Sequence, residues 1–341
     1  MTPHVRTRAP GKLFLLGEYA VLDGCPAVVA AIDRYVEVRL QLTGPQRSVV
    51  IEAPQLEAVV TFAPADPPVH HPLRFALAAY RGALARLPEI AGQGMQIQVA
   101  SQLTTAVDAS SGLGSSAAVV VATAAALYAA ADRDLTDPSI RADLLSTGLE
   151  AHRLAQGGSG SGGDVAASVY GGIVRFESYS GRPVDVQPLH YPQSLILLAG
   201  WTGEPASTPN LIAAYRAAVQ HAPALRAGFI DASRAAVTHF LDALAQGAGC
   251  ADALNENGSA LERFDDELSL GVMTPRLREL VRIARTAGAG AKPSGAGGGD
   301  CGIALTQSPE AAEHIRAAWT HAGITPLHLR IDQQGVTNVR C

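Results

Sequence analysis

Residues 111–122 read SGLGSSAAVVVA, two glycines and three serines joined directly to a run of alanine and valine. The apolar run has the composition of a buried helix, so the glycine-rich segment before it marks a helix N-terminus. The first backbone N–H groups of a helix have no intrahelical partner, and glycine lets a bulky anion come close to them. The junction therefore reads as a phosphate cradle.

The chain around this junction has 341 residues, which fits two domains of roughly 150 to 200 residues each. The expected division is 1–191 and 192–341, with the boundary near Tyr191-Pro192. Hydrophobic residues make up 48% and charged residues 17%, an ordinary globular balance that argues against disorder. A net charge of -5 argues against a nucleic-acid or anionic-membrane partner held by a broad basic face, so attraction of an anion has to be local. Cys25, Cys250, Cys301 and Cys341 are far apart with no Cys-x-x-Cys pair, which indicates neither a zinc ribbon nor a disulfide framework and fits a reducing cytoplasm. The N-terminal run meets Gly-Glu-Tyr early and is a poor signal peptide. The longest apolar stretch, Ala117 to Ala131, falls short of the about 20 residues a membrane span needs.

Of the 26 basic residues only Lys12 and Lys292 are lysine. Both stand beside glycine-rich segments, APGKLFLLGEY and GAKPSGAGGGD. A compact ammonium and a planar guanidinium are not interchangeable at a tight site, which gives a physical reason for both.

The pattern along the chain mixes helix and strand. After Gly11, LFLLGEYAVLDGCPAVVAAI reads as strand, turn and strand or short helix. YVEVRLQL, 35–42, alternates as a half-buried strand, 49–62 resembles a strand pair, 73–87 has helical spacing and MQIQVASQL is a further strand. Helices follow at 115–131 and 139–156, then a short helix and a strand over VAASVYGGIVRFES. Past the boundary, SLILLAGW and CGIALT read as strands, helices are expected at 211–222, 230–246, 251–267, 274–288 and 309–322, and PLHLRID reads as a last strand. The fold class is α/β, with an α+β second half.

Three glycine-rich segments carry the chemistry: APGKLFLLGEYAVLDG, SSGLGSSAA and KPSGAGGGDCG. GGSGSGG contains a G-x-G-x-x-G match at Gly158, Gly160 and Gly163, but it follows a helix where a dinucleotide fingerprint follows a strand, so a dehydrogenase is rejected. No G-x-x-x-x-G-K-[ST] occurs, which excludes a Walker-type loop. In this order and spacing, from Pro10 to Leu305, the three segments resemble the GHMP kinase family. Within it GEYAVLDG, GWTGEPAST and KPSGAGGGDCGIAL look most like the phosphomevalonate kinases, whereas mevalonate kinases more typically carry histidine where Tyr19 stands.

The resemblance implies two domains, the first like a ribosomal-protein sandwich with a left-handed crossover and the second ferredoxin-like, with ATP and substrate meeting between them. Phosphoryl transfer needs a clamp for the triphosphate, a divalent cation and a positioned acceptor oxygen. Gly112, Leu113, Gly114, Ser115 and Ser116 are implied as the clamp, and Ser116 and Glu150 as Mg2+ ligands. Ser116 also reads as an N-cap, and could serve as both. Asp164 fits a helix cap, worth about 1 kcal/mol, or the family's catalytic aspartate, with Lys12 between it and the transferring group. Glu18 and Tyr19 are implied to meet the acceptor, although a tyrosine there reads equally as packing. Lys292, Ser294, Ala296 and Gly297 are implied as contacts to substrate or phosphate, while Asp300 reads as tying its loop down. The histidines, the His70-His71 pair included, have no ligand spacing with an acid and read as loop residues.

The reaction implied is transfer from ATP to the phosphate of 5-phosphomevalonate by a cytoplasmic monomer or homodimer. That dianion needs a cationic pocket, and with two lysines in the chain the arginines have to supply it. The rivals are mevalonate kinase or another kinase of the family, a ligand-sensing regulator that keeps ATP binding, and the related decarboxylase, which the match at GEYAVLDG disfavours.

Overall fold

The structure, a computed structural model, describes residues 4–45, 47–103, 112–179 and 182–339. The chain opens with β1 (His4–Leu16), a 3-10 turn at Ala20–Asp23, β2 (Ala27–Pro45), β3 (Val49–Ala53), β4 (Ala58–Phe62), α1 (Arg74–Leu84) and β5 (Gln93–Ser101). It continues through α2 (Ser115–Ala130), α3 (Pro138–Ala155), α4 (Gly163–Tyr170), β6 (Ile173–Glu177) and β7 (Asp185–Leu189). The remainder is β8 (Ile196–Trp201), α5 (Thr208–His221), α6 (Pro223–Gln246), α7 (Cys250–Leu268), α8 (Pro275–Thr286), β9 (Gly290–Pro293), β10 (Cys301–Thr306), α9 (Pro309–His321), β11 (Thr325–Leu327) and β12 (Thr337–Asn338).

Two sheets organise these elements. The first has the order β12-β1-β2-β5-β3-β4, with β6 on the first half of β2 and β7 outside it; β3 and β5 run parallel. In β2 the alternation seen in the sequence holds: Val36, Val38 and Leu40 are buried and Arg39 is exposed. The β1–β2 register shifts between Pro10 and Gly11, just ahead of Lys12. Such a bulge bends a strand and re-aims its side chains. Helix α2 is buried nearly all round, as a helix without a polar face must be, lying on β1 and β2 among α1, α3 and α4. The second sheet, β11-β8-β10-β9, is covered by α7, α8 and α9, and the Trp319 indole N–H ties α9 to the Leu280 carbonyl of α8 at 3.0 Å.

The structure differs from the sequence reading in short or edge elements. β1 begins well before Gly11, and β7, β9 and β12 were not anticipated. β7 is an exposed edge strand carrying Pro188, so it shows no apolar alternation. Of PLHLRID only the first two residues are strand, within Thr325–Leu327, after which Ile331 makes a single bridge to Ile32. Among the described residues no helix is long and apolar enough to cross a membrane.

Candidate active site

A cavity of about 440 Å3 lies where the start of α2 meets β1, α4 and the loop between β9 and β10. Gly112, Leu113, Gly114, Ser115 and Ser116 form one wall. Gly114 is the N-cap of α2, with φ +83°, and among the described residues no side chain caps the helix. Only glycine fits there: a Cβ would stand 2.6 Å from Lys12 Cγ. The helix therefore presents open N–H groups, and a dipole equivalent to roughly half a positive charge, beside the lysine. Lys12 fixes that loop through its backbone N–H to the Leu113 carbonyl and its amine to the Gly112 carbonyl, both at 2.8 Å.

Asp164 lines the same cavity. It stands one position inside α4, whose N-cap is Gly162, so it is not the cap. Its Oδ1 accepts from the Val165 N–H at 2.9 Å, and its Oδ2 lies 3.7 Å from His152 Nε2. The same nitrogen is 3.0 Å from Ser116 Oγ. His152 is buried in α3, which corrects the reading of the histidines as loop residues. A signal was available: Leu144, Leu145, Gly148, Ala151 and His152 fall on one helical face, and that face is buried.

Glu18, Tyr19 and Ala296 line the cavity from another side. Tyr19 has φ +60° and ψ -51°, with the Ala20 N–H donating to the Glu18 carbonyl at 2.7 Å, a strained γ-turn. It is held by its hydroxyl, which donates to the Ala296 carbonyl at 2.5 Å, and by its ring against Tyr215 at 5.1 Å; burial pushes the phenol's pKa up. Packing and cavity wall are thus combined in one residue. Glu18 Oε1 pairs with the Lys292 amine and accepts from the Gly295 N–H at 3.3 Å, while its buried Oε2 has no hydrogen-bond partner among the described residues.

The family models for the GHMP kinases N terminal domain and the GHMP kinases C terminal match residues 74–172 and 241–325. The chain belongs to the GHMP kinase family. It is 34% identical to a phosphomevalonate kinase of Streptomyces sp. (strain CL190), covering 98% of this chain and 100% of that one. A mevalonate kinase of Pyrococcus abyssi is 31% identical over 97% of each chain. The fold resembles that of a Streptococcus pneumoniae phosphomevalonate kinase in complex with phosphomevalonate and AMPPNP, with TM-score 0.78 and 24% identity over 96% of this chain and 99% of that one.

Several residues expected at the site of this GHMP kinase are not brought to it. Glu150 points out of α3, 63% exposed and bound to Arg86 at 3.0 Å. Two residues along a helix are roughly 200° apart around its axis, so Glu150 and the inward-facing His152 cannot share a face. Lys292 is fully buried behind Glu18, donating also to the Pro293 carbonyl at 2.7 Å. Ser294 donates to the Phe14 carbonyl at 3.0 Å, and Gly297 packs against Val272. These three form the back of the wall, and from KPSGAGG it is Gly295 and Ala296 that face the cavity. The arginine-built anion pocket is also absent among the described residues, where Lys12 is the cation lining the cavity.

Asp300 does more than tie its loop. Its Oδ1 accepts from the Ala206 N–H at 3.1 Å, yet the residue also lines the cavity, and burial raises its pKa to about 6 against the pull of Lys12. A carboxyl that titrates higher in the folded than in the unfolded chain holds its extra proton in the folded state. Its contribution to stability is therefore full below about pH 4 and is lost as pH rises through about 6. Asp300→Asn, which keeps the acceptor for Ala206, should be more stable than the parent at pH 7 with the gap closing towards pH 4. Urea unfolding at both values tests this, and a variant less stable at pH 7 would contradict it.

Proposed function

We propose that this GHMP kinase transfers the γ-phosphoryl group of ATP to the phosphate of 5-phosphomevalonate, a step of the mevalonate pathway. The observation that carries phosphoryl transfer is the convergence of Lys12, Asp164 and the glycine-opened start of α2 on one cavity. The near full-length identity to a phosphomevalonate kinase supports the choice of acceptor.

In this reading the N–H groups of Gly112 to Ser116 hold the phosphates of ATP. With the acceptor phosphate bound as its monoanion, the form that carries a proton, Asp164 receives that proton as the phosphate oxygen attacks, and Lys12 stabilises charge on the transferring group. Glu18 Oε2, buried without a partner, accepts a hydrogen bond from a hydroxyl of the acceptor. Thr208, in the first turn of α5, reaches the cavity where no described side chain caps that helix, so the backbone N–H groups there, Pro209 having none, take the place of arginines in the described lining.

Among the described residues no three His, Cys, Asp or Glu side chains gather to hold a metal. Ser116 and Asp164 instead fit the mixed shell that Mg2+ prefers, one or two protein oxygens completed by phosphate and water. When bound, Mg2+ neutralises phosphate charge.

A second reading, with mevalonate as acceptor, is favoured by the lack of arginine in the described lining and by the Pyrococcus abyssi relative. A coupled assay of ADP release over mevalonate, phosphomevalonate, homoserine and galactose separates the two. Turnover is expected on phosphomevalonate; turnover confined to an alcohol acceptor would remove that choice.

A further inference from the structure

We infer that His152 is a positioning residue for phosphoryl transfer, holding the Ser116 hydroxyl and the Asp164 carboxylate in a fixed relation through one ring nitrogen. The inference rests on the roles proposed above for those two residues and adds a third that neither the sequence motifs nor the family resemblance supplied.

The ring is held from two sides. His152 is 3% exposed, and its ring lies against Phe75 with centroids 5.7 Å apart at 31°. One turn earlier in α3, Gly148 lets α4 come close, since a Cβ there would stand 2.8 Å from Val165 Cγ1. That approach brings the residue before Val165, Asp164, beside the imidazole. Nε2 then faces two oxygens, Ser116 Oγ at 3.0 Å and Asp164 Oδ2 at 3.7 Å. The second distance is too long for a hydrogen bond but short enough for strong electrostatic interaction. A lone pair on Nε2 would be repelled by the carboxylate, whereas an N–H there is attracted to it and is donated to Ser116. The hydrogen therefore belongs on Nε2.

With one lone pair of Ser116 Oγ taken by His152, its own hydrogen and its second lone pair are left to face the cavity, in a direction set by the ring. The hydroxyl at the start of α2 and the acid at the start of α4 thus share a rigid reference, although they lie 48 residues apart in the chain. Outer-shell partners of this kind typically contribute about 10- to 100-fold to activity.

Two variants and one spectrum test the inference. His152→Phe keeps the ring shape and its packing on Phe75 but removes the donor, while His152→Gln keeps an N–H at similar reach. The Phe variant should unfold at the parent's temperature, lose about 10- to 100-fold in kcat and bind magnesium-AMPPNP more weakly by calorimetry with no acceptor present. The Gln variant should recover most of both. In 15N NMR of histidine-labelled parent protein, with the signal assigned by its loss in the Gln variant, Nε2 should carry the hydrogen. A bare Nε2, a Phe variant with parental kcat and nucleotide affinity, or a folded Gln variant as impaired as Phe would overturn the inference. If Asp164→Asn keeps its turnover, the role of Asp164 falls and this inference with it. If Asp164→Asn is inactive and His152→Phe is not, this inference alone falls.

Discussion

Replacing Asp164 by asparagine should lower kcat about a thousandfold, within the range that a positioned proton acceptor contributes, while AMPPNP still binds in the absence of magnesium. A thousandfold is about 4 kcal/mol of transition-state stabilisation. Asparagine is nearly isosteric and its Oδ1 can still accept from the Val165 N–H, so α4 keeps its first turn. What disappears is the negative charge at Oδ2, on the cavity side and 3.7 Å from His152. In the proposed arrangement the phosphates rest on the backbone of Gly112 to Ser116, which the change leaves untouched, so nucleotide titrated without magnesium should bind as before. The measurement pairs steady-state kinetics on phosphomevalonate and on mevalonate with calorimetric titration of nucleotide. A fall of only a few-fold on the better acceptor would show that Asp164 is not the group that handles the proton. A parallel loss of nucleotide affinity would show that it acts through the phosphate loop instead.

The sequence announced the parts of this site that are made of backbone and hid those made of side-chain direction. SGLGSSAA can be recognised because glycine, serine and a helix-forming run together specify an open N-terminus, and α2 starts at Ser115 as that reading required. The β2 alternation and the long helices α2, α3 and α9 were equally legible, since periodicity over many residues is hard to mistake. Glu150 and His152 show the limit. Both are polar, both lie in α3, and choosing between them needed the helical phase: the phase that buries Leu145 and Gly148 also buries His152 and turns Glu150 towards Arg86. Lys292 shows another limit, because a lysine beside glycines reads as a ligand whether its amine reaches the substrate or a carboxylate standing in front of it. Nothing local distinguishes the two, since the partner, Glu18, is 274 residues away.

That pair carries the second large effect. In Lys292→Met a buried ammonium is exchanged for an apolar side chain of similar length, and Glu18, 3% exposed, is left as a buried carboxylate with neither oxygen on a cation. Breaking a buried ion pair from one side costs about 3 to 5 kcal/mol, because the surviving charge is desolvated without compensation. The expected result is a clear drop in the urea midpoint with the slope of the transition unchanged. Adding Glu18→Gln should return much of the lost stability, since a neutral amide can remain in the cavity wall without a cation, and a double-mutant cycle should give strong coupling between the two positions. The Gly295 N–H leans on the same carboxylate and the Glu18 backbone carbonyl closes the strained turn at Tyr19, so the single variant should also loosen the acceptor side of the cavity and raise KM for the acceptor more than for ATP. If Lys292 instead bound the substrate directly, Lys292→Met would keep its stability and lose only acceptor affinity. A stable, well-folded Lys292→Met protein would therefore return Lys292 to the cavity and displace Glu18 from the position in front of it.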